Sequence, residues 1–271
     1  AILGAEASGS TVRIGLGLHS LRAVPGDSLS TAIDAARKMD PTIPIHIHVA
    51  EQLREVDRSL SYSGTRPAAW LLDHAPVDKE WCLIHATHID AAEIAGISAS
   101  GATVGLCPTT EANLGDGIFP FLEYQNRKGT WAIGTDSHVG RGPASELRLL
   151  EYGQRLKTRT RNVAAGAQQK STGRTLLDAA WSGGATASGR RIGSIVKGAR
   201  ADIVILDQNH PALLGLSEDD ALDAWIFSGD ETPVSDVFTG GNHVVRQGRH
   251  VAADNVYDSY AEVARNLAKN I

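Results

Sequence analysis

The sequence predicts an α/β protein in which a parallel sheet is covered by helices and followed by a smaller β unit. Three observations carry this. From Thr11 to Leu156, apolar strand, polar loop and helix alternate through five strands, the pattern of parallel strands joined by crossover helices. After about Thr160 the alternation gives way to short strands and Gly-rich turns. Hydrophobic residues make up 42% of the chain and charged ones 21%, a globular balance with enough apolar content for a sizeable core.

Each element has its own signal. Thr11 to Leu18 (TVRIGLGL) reads as a short buried strand running into the polar turn HSLRAVPGDSL. Leu29 to Met39 reads as a helix, with Ser28 or Ser30 as N-cap and Pro41 beyond its end. Leu53 to Ser61 and Pro67 to His74 are helical pieces parted by a turn at Ser63–Gly64, and Trp81 to His85 is a second apolar strand. Asp90 caps the next helix, with Glu93 at the capping-box position, and that helix ends near Gly101. Ala102 to Cys107 is a strand followed by the loop PTTEANLGDG. A helix follows from about Pro120 to Lys128, then the strand Trp131 to Asp136 and a helix over Ala144 to Leu156. In the tail, Arg174 to Ala187 reads as a helix ending at Gly189, and GSIVKGARADIVILD turns into an apolar strand. Trp225 to Phe227, Val234 to Phe238 and His243 to Val251 read as strands, and Tyr257 to Lys269 as an amphipathic helix. The domain expectation is a partial barrel over 1–190, β-sandwich strands over 191–255 and a terminal helix over 256–271.

The chain is organised around Ile43 to Gln52 (IPIHIHVAEQ). Ile45, Ile47 and Val49 share one strand face, and His46 and His48 share the other. Glu51 follows where the strand should end. Neutral imidazole is the commonest protein metal ligand, and a nearby carboxylate can move protons. The stretch also reads as a strand with two hydrogen-bonded core histidines. What tips the balance is repetition: His19, His48, Glu51, His85, His88, Asp136 and His138 all fall at or just beyond strand ends, where barrels of this type build their sites. His46 reads as structural, and His88 and His138 as loop polar residues. Cys107 reads as a small buried apolar residue and the GDG at Gly115 to Gly117 as a loop. Taken alone, Arg22 also reads as a surface arginine and His85 as a core histidine.

Charge and composition exclude several classes. Net charge is −5 with no run of like charges, so neither nucleic acid nor an anionic membrane is expected as a partner. The basic cluster Lys157 to Arg161 reads as a solvated helix end. No apolar run reaches transmembrane length and no secretory signal is visible. Two cysteines, Cys82 and Cys107, do not make a disulfide framework, so a cytoplasmic setting is expected. A homodimer is the expected assembly on the prior that dimers are the commonest oligomers.

The motifs HVAE at His48 to Glu51, IHATH at Ile84 to His88 and GTDSH at Gly134 to His138, with the tail GSIVKGARADIVILD, resemble the amidohydrolase superfamily in its mononuclear deaminase branch. The longer motifs HSLRAVP, HIHVAEQ and GLCPTTEANLGDGIFP resemble the formiminoglutamate deiminases within that branch. The resemblance implies a (β/α)8 TIM-type barrel, here about strands 4 to 8, beside a small β-sandwich. It implies zinc, with iron as an alternative, and hydrolysis of N-formimino-L-glutamate to N-formyl-L-glutamate and ammonia in histidine degradation. Carried onto this sequence, it makes His48 and Asp136 metal ligands and Glu51, His85 and Asp136 the acid/base and orienting groups. It also makes His19 and Arg22 the holders of a small substrate bearing carboxylates. The chemistry is coherent: bound zinc lowers the pKa of water to about 7, and a guanidinium suits a planar carboxylate. Another deaminase of the branch, acting on a purine, pyrimidine or other amidine, and a catalytically incomplete fragment are the alternatives.

One departure stands out. The superfamily carries a metal-binding His-x-His pair on its first barrel strand, and none precedes Thr11; the pair His46–His48 lies on a later strand. The sequence also begins AILGAEASG, with Met39 its single methionine. The expectation is a chain starting at the fourth barrel strand, with ~90 residues of barrel absent at about 30 residues per strand–helix unit. Weak metal binding and poor turnover are then expected of this polypeptide alone.

Overall fold

The computed structural model describes residues 12–166, 169–216, 218–229 and 231–269. Five parallel strands form one sheet in the order β1 (Leu16–Ser20), β2 (Ile45–Val49), β3 (Trp81–His85), β4 (Thr103–Leu106) and β5 (Thr130–Ile133). Sequential order with helical crossovers is how the strands of a (β/α)8 barrel run. β1 and β5 are the outer strands of the described sheet. The crossovers are α1 (Gly26–Met39), α2 (Leu53–Ser63) with α3 (Pro67–His74), α4 (Ala91–Ser100), and α5 (Pro108–Leu114) with α6 (Phe121–Asn126). After β5 come α7 (Pro143–Thr158) and α8 (Thr172–Ser188).

The core lies between this sheet and its helices. Ile45, Ile47 and Val49 of β2 are all 0% exposed and pack with Leu29 and Ile33 of α1, while His46 and His48 on the other face stay half-buried. Burial of that kind is worth roughly 1.5–3 kcal/mol per large aliphatic side chain, which sets the face on which the histidines stand. Register then aligns the strand ends: Val49 pairs with His85, and His48 with both Ser20 and Ile84.

Buried glutamates fasten the strand-to-helix corners. Glu55, in the first turn of α2, accepts the Ala50 and Glu51 N–H groups at 2.9 and 3.1 Å. Glu93 completes the expected capping box with Asp90 and also binds Arg66. Glu146 of α7 accepts the Thr109 N–H at 2.9 Å at the start of α5. These carboxylates satisfy N–H groups that would otherwise be buried without partners.

Several expectations are corrected. β1 begins at Leu16, not Thr11, because pairing starts where β2 starts, with Leu16 opposite Ile45; Thr11 lies outside the described residues. His19 is therefore inside the strand. α1 begins at Gly26 after Pro25, and Ser28 and Ser30 lie within it, with no side-chain cap. PTTEANL is not a loop: it forms α5, with Pro108 in the first turn and Gly115 at φ 71° ending it. β5 stops at Ile133, which leaves Asp136 in the loop beyond. Trp225 to Phe227 is the end of helix α9 (Glu218–Phe227), whose acidic first turn suits a helix N-terminus. This helix packs back on α7 and α8, where Arg174 binds Asp219 at 2.7 Å.

The second sheet is antiparallel, with β6 (Ile203–Leu206), β7 (Val234–Thr239), β8 (Asn242–Arg246) and β9 (Arg249–His250) in sequence order. Among the described residues it is one sheet, not two packed ones. His243 to Val251 is a hairpin, not one strand: Gln247 and Gly248 both take positive φ, 49° and 75°, as a tight two-residue turn requires. α10 (Ala253–Ala268) closes the chain. No described helix is long and apolar enough to cross a membrane.

Candidate active site

The C-terminal ends of β1, β2, β3 and the loop after β5 converge. His19 and His48 rings lie 5.5 Å apart and His48 and His85 rings 5.6 Å apart. Ligand atoms of His48, His85 and Asp136 all lie within 4.8 Å of one another. Glu51 Oε1 is 3.8 Å from His85 Nε2, and Glu51 Oε2 is 3.6 Å from an Arg22 Nη. The six residues singled out by sequence thus form one connected group, although they span 118 positions from His19 to Asp136, counting both ends.

Three of the six sit on left-handed backbone: His19 at φ 44°, His85 at 70° and Asp136 at 47°. Non-glycine residues rarely adopt this region, and strained backbone held by its surroundings concentrates at functional sites. Ala50, between His48 and Glu51, is also left-handed at φ 52°. Its N–H and that of Glu51 are the two accepted by Glu55, so Glu55 holds the corner that aims Glu51.

Backbone partners define which nitrogen donates or accepts in His46, His48, His88 and His138. His48 Nδ1 is 2.8 Å from the His19 carbonyl. A carbonyl only accepts, so Nδ1 carries the proton and the Nε2 lone pair is left for a ligand. His46 donates from Nε2 to the Ala187 carbonyl at 2.8 Å, a structural tie to α8 as expected. His88 donates from Nε2 to the Asp116 carbonyl at 2.7 Å, joining the loops after β3 and β4. His138 Nδ1 accepts the Gly140 N–H at 2.9 Å within its own loop.

Electrostatics separate the groups. Burial by itself pushes the His85 imidazolium down, but the hydrogen bond and charge of Glu111, then the charges of Glu51 and Asp136, outweigh it and raise its pKa above the ordinary value. Burial, reinforced by Glu111, Asp136 and Glu146, pushes the Cys107 thiol far up, and burial pushes Cys82 up to about 12. Neither cysteine is a thiolate nucleophile at neutral pH.

A divalent metal fits the donor set. The His48 imidazole, whose tautomer leaves Nε2 free, and the Asp136 carboxylate converge, with the His85 ring beside them. Sequence reading missed Glu111 and Glu55, both buried and both in the first turn of the helix after a strand. The available signal was a glutamate five or six positions past a strand end, and for Glu111 the preceding Pro108.

The amidohydrolase family model matches residues 2–244, and the chain belongs to that family. Within it, the formimidoylglutamate deiminase of Pseudomonas aeruginosa is 46% identical over 262 residues, covering 97% of this chain and 57% of that protein. A 5-methylthioadenosine/S-adenosylhomocysteine deaminase of Halobacterium salinarum is 31% identical over 198 residues, 72% of this chain and 44% of that protein. Among solved structures, an amidohydrolase from Brucella melitensis superposes with TM-score 0.86 at 45% identity, covering 94% of this chain and 55% of that one. An adenosine deaminase from Xanthomonas campestris with bound zinc superposes with TM-score 0.81 at 26% identity over 95% of this chain and 57% of that one. The chain therefore spans about half the length of the curated relatives it matches, and its family makes the five-stranded sheet part of a barrel-type fold.

Proposed function

We propose that this chain is part of a formimidoylglutamate deiminase, which hydrolyses the C=N bond of N-formimino-L-glutamate to give N-formyl-L-glutamate and ammonia. The observation that carries the reading is the convergence of His48, His85 and Asp136 within 4.8 Å, with Glu51 beside them and Arg22 against Glu51. The relative at 46% identity supports it.

His48 and Asp136 would hold the metal, zinc first and iron as the alternative. A divalent ion there supplies Lewis-acid activation of water near neutral pH. Asp136 accepts the proton of the attacking water. His85 Nε2, facing Glu51, orients water and substrate. Glu51 delivers a proton to the departing nitrogen, which leaves as ammonia while the carbon keeps the water oxygen. The exposed Arg22 guanidinium, three positions past His19 at the end of β1, binds a substrate carboxylate in bidentate fashion.

A second reading has a specific basis, since relatives at 31% identity are named as deaminases of adenosine derivatives. A flat base would need no carboxylate anchor, and Arg22 favours the first reading. The test is ammonia release by the zinc-loaded protein from N-formimino-L-glutamate, adenosine, S-adenosylhomocysteine, guanine and cytosine. Release from N-formimino-L-glutamate alone is expected. Release from a base or nucleoside, with none from N-formimino-L-glutamate, rejects the proposal.

A further inference from the structure

Glu111 lies in the first turn of α5, directly behind His85, and is 5% exposed. Its Oε1 accepts the Cys107 N–H at 2.8 Å and faces His85 Nδ1 at 3.2 Å. The bond from the backbone fixes where this oxygen stands. As a carboxylate, Glu111 only accepts, so the proton of that contact belongs to Nδ1. The other ring nitrogen, Nε2, is the one 3.8 Å from Glu51 Oε1. On its flank the His85 ring stacks with His48.

We propose that Glu111 is a positioning residue for His85: it holds the imidazole in the Nδ1–H tautomer, so that Nε2 faces Glu51 with its lone pair available. The arrangement is that of an imidazole oriented by a carboxylate on its far side. Among the described residues, Glu111 is the acceptor in hydrogen-bond reach of Nδ1. Without it the Nε2–H tautomer becomes competitive, and the atom presented toward Glu51 changes from an acceptor to a donor. The His85 backbone is itself left-handed, φ 70°, a conformation that non-glycine residues keep only where their surroundings hold it. The catalytic consequence rests on the proposed deaminase reading; the tautomer does not.

The test is long-range ¹H–¹⁵N correlation of the histidine side chains in metal-free, ¹⁵N-labelled protein. It is run as a pH series upward from the ordinary imidazole pKa of about 6.5, because Glu111 and its neighbours raise that of His85, and the tautomer is read on the neutral ring. His85 is expected to show a protonated Nδ1. Glu111→Gln is expected to keep that pattern, because the carboxamide oxygen still accepts. Glu111→Leu is expected to move His85 toward Nε2–H, while His48, held by the His19 carbonyl, stays unchanged in both. In zinc-loaded protein, kcat is expected to fall about 10-fold or more further in Glu111→Leu than in Glu111→Gln, the size typical of orienting partners. That extra loss is expected to vanish when His85 is already alanine. An Nδ1 without a proton in the parent protein, or an unchanged His85 in Glu111→Leu, overturns the assignment. A tautomer that responds in protein releasing no ammonia from N-formimino-L-glutamate supports the positioning role and rejects the deaminase reading, so the two failures are distinguishable.

Discussion

His48 and Glu51 stand three positions apart, yet they face different tasks because each is held by a different neighbour. The His19 carbonyl sets the His48 tautomer, while Glu55 grips the backbone on which Glu51 rides. The roles proposed for them separate experimentally. His48→Ala and Asp136→Ala are each expected to weaken zinc binding further, read as a higher dissociation constant in a chelator-competition titration. Glu51→Gln is expected to leave zinc binding intact and to lower the rate of ammonia release by about 10²–10⁴-fold, the usual span of general acid–base catalysis. Glu51→Gln protein that binds zinc and turns over at the parent rate would remove Glu51 from the mechanism. At this scale the sequence was informative about ligand-type residues, since imidazoles and carboxylates recurred at strand ends. It was silent on Glu55 and Glu111, because a glutamate in the first turn of a helix looks the same whether it faces water or a buried N–H group.

At the scale of elements, α8 lies so close to β5 that one glycine decides the contact. A Cβ on Gly183 would stand 1.8 Å from the Trp131 carbonyl oxygen, which is backbone and has little room to give. Its neighbour Gly184 has nothing within 4 Å. Gly183→Ala is therefore expected to destabilise the protein by about 3 kcal/mol or more, the upper range for overpacking. Gly184→Ala is expected to stabilise it by about 0.5–1 kcal/mol, through helix propensity and a less flexible unfolded chain. Urea unfolding of the two variants measures both. Equal and opposite-to-expected shifts would mean that α8 does not approach β5 through Gly183. The stretch AWIF is apolar enough for a strand, but it ends helix α9, which packs on α7 and α8 with Ala224 and Ile226 buried, a context that periodicity over four residues cannot reveal.

For the whole molecule, acid stability depends on carboxylates that tie segments together. Burial alone would raise the Asp40 carboxyl, but hydrogen bonds from Thr42 and the bond and charge of Arg13 outweigh it and hold it below the usual range. Asp202 behaves alike: burial raises it, and Arg200 with the Gly240 N–H lowers it further. A folded-state pKa below the unfolded value means the unfolded chain takes up protons first. The stabilisation is thus complete above the unfolded value of about 3.9 and lost as pH falls through the folded one. Asp40→Asn is expected to lower the thermal midpoint at pH 7, with the gap to the parent closing below about pH 4. A gap that is constant across the series would mean that the Asp40 charge contributes nothing.

The sequence by itself determined the alternation of strands and helices, the face of β2 on which the histidines stand, the capping box at Asp90 and the family to which the chain belongs. These depend on periodicity and short spacing, which are local. Only the tertiary structure decided that strand β1 begins at Leu16, that PTTEANL folds as a helix and that Trp225 ends one. It also decided that Glu111 stands behind His85. Each of these meets a partner distant in the chain: β2 for β1, Glu146 of α7 for the start of α5, α8 for α9, His85 for Glu111. Register and packing between such partners come from the burial of apolar faces and the satisfaction of buried N–H groups, and those exist only once the elements have met.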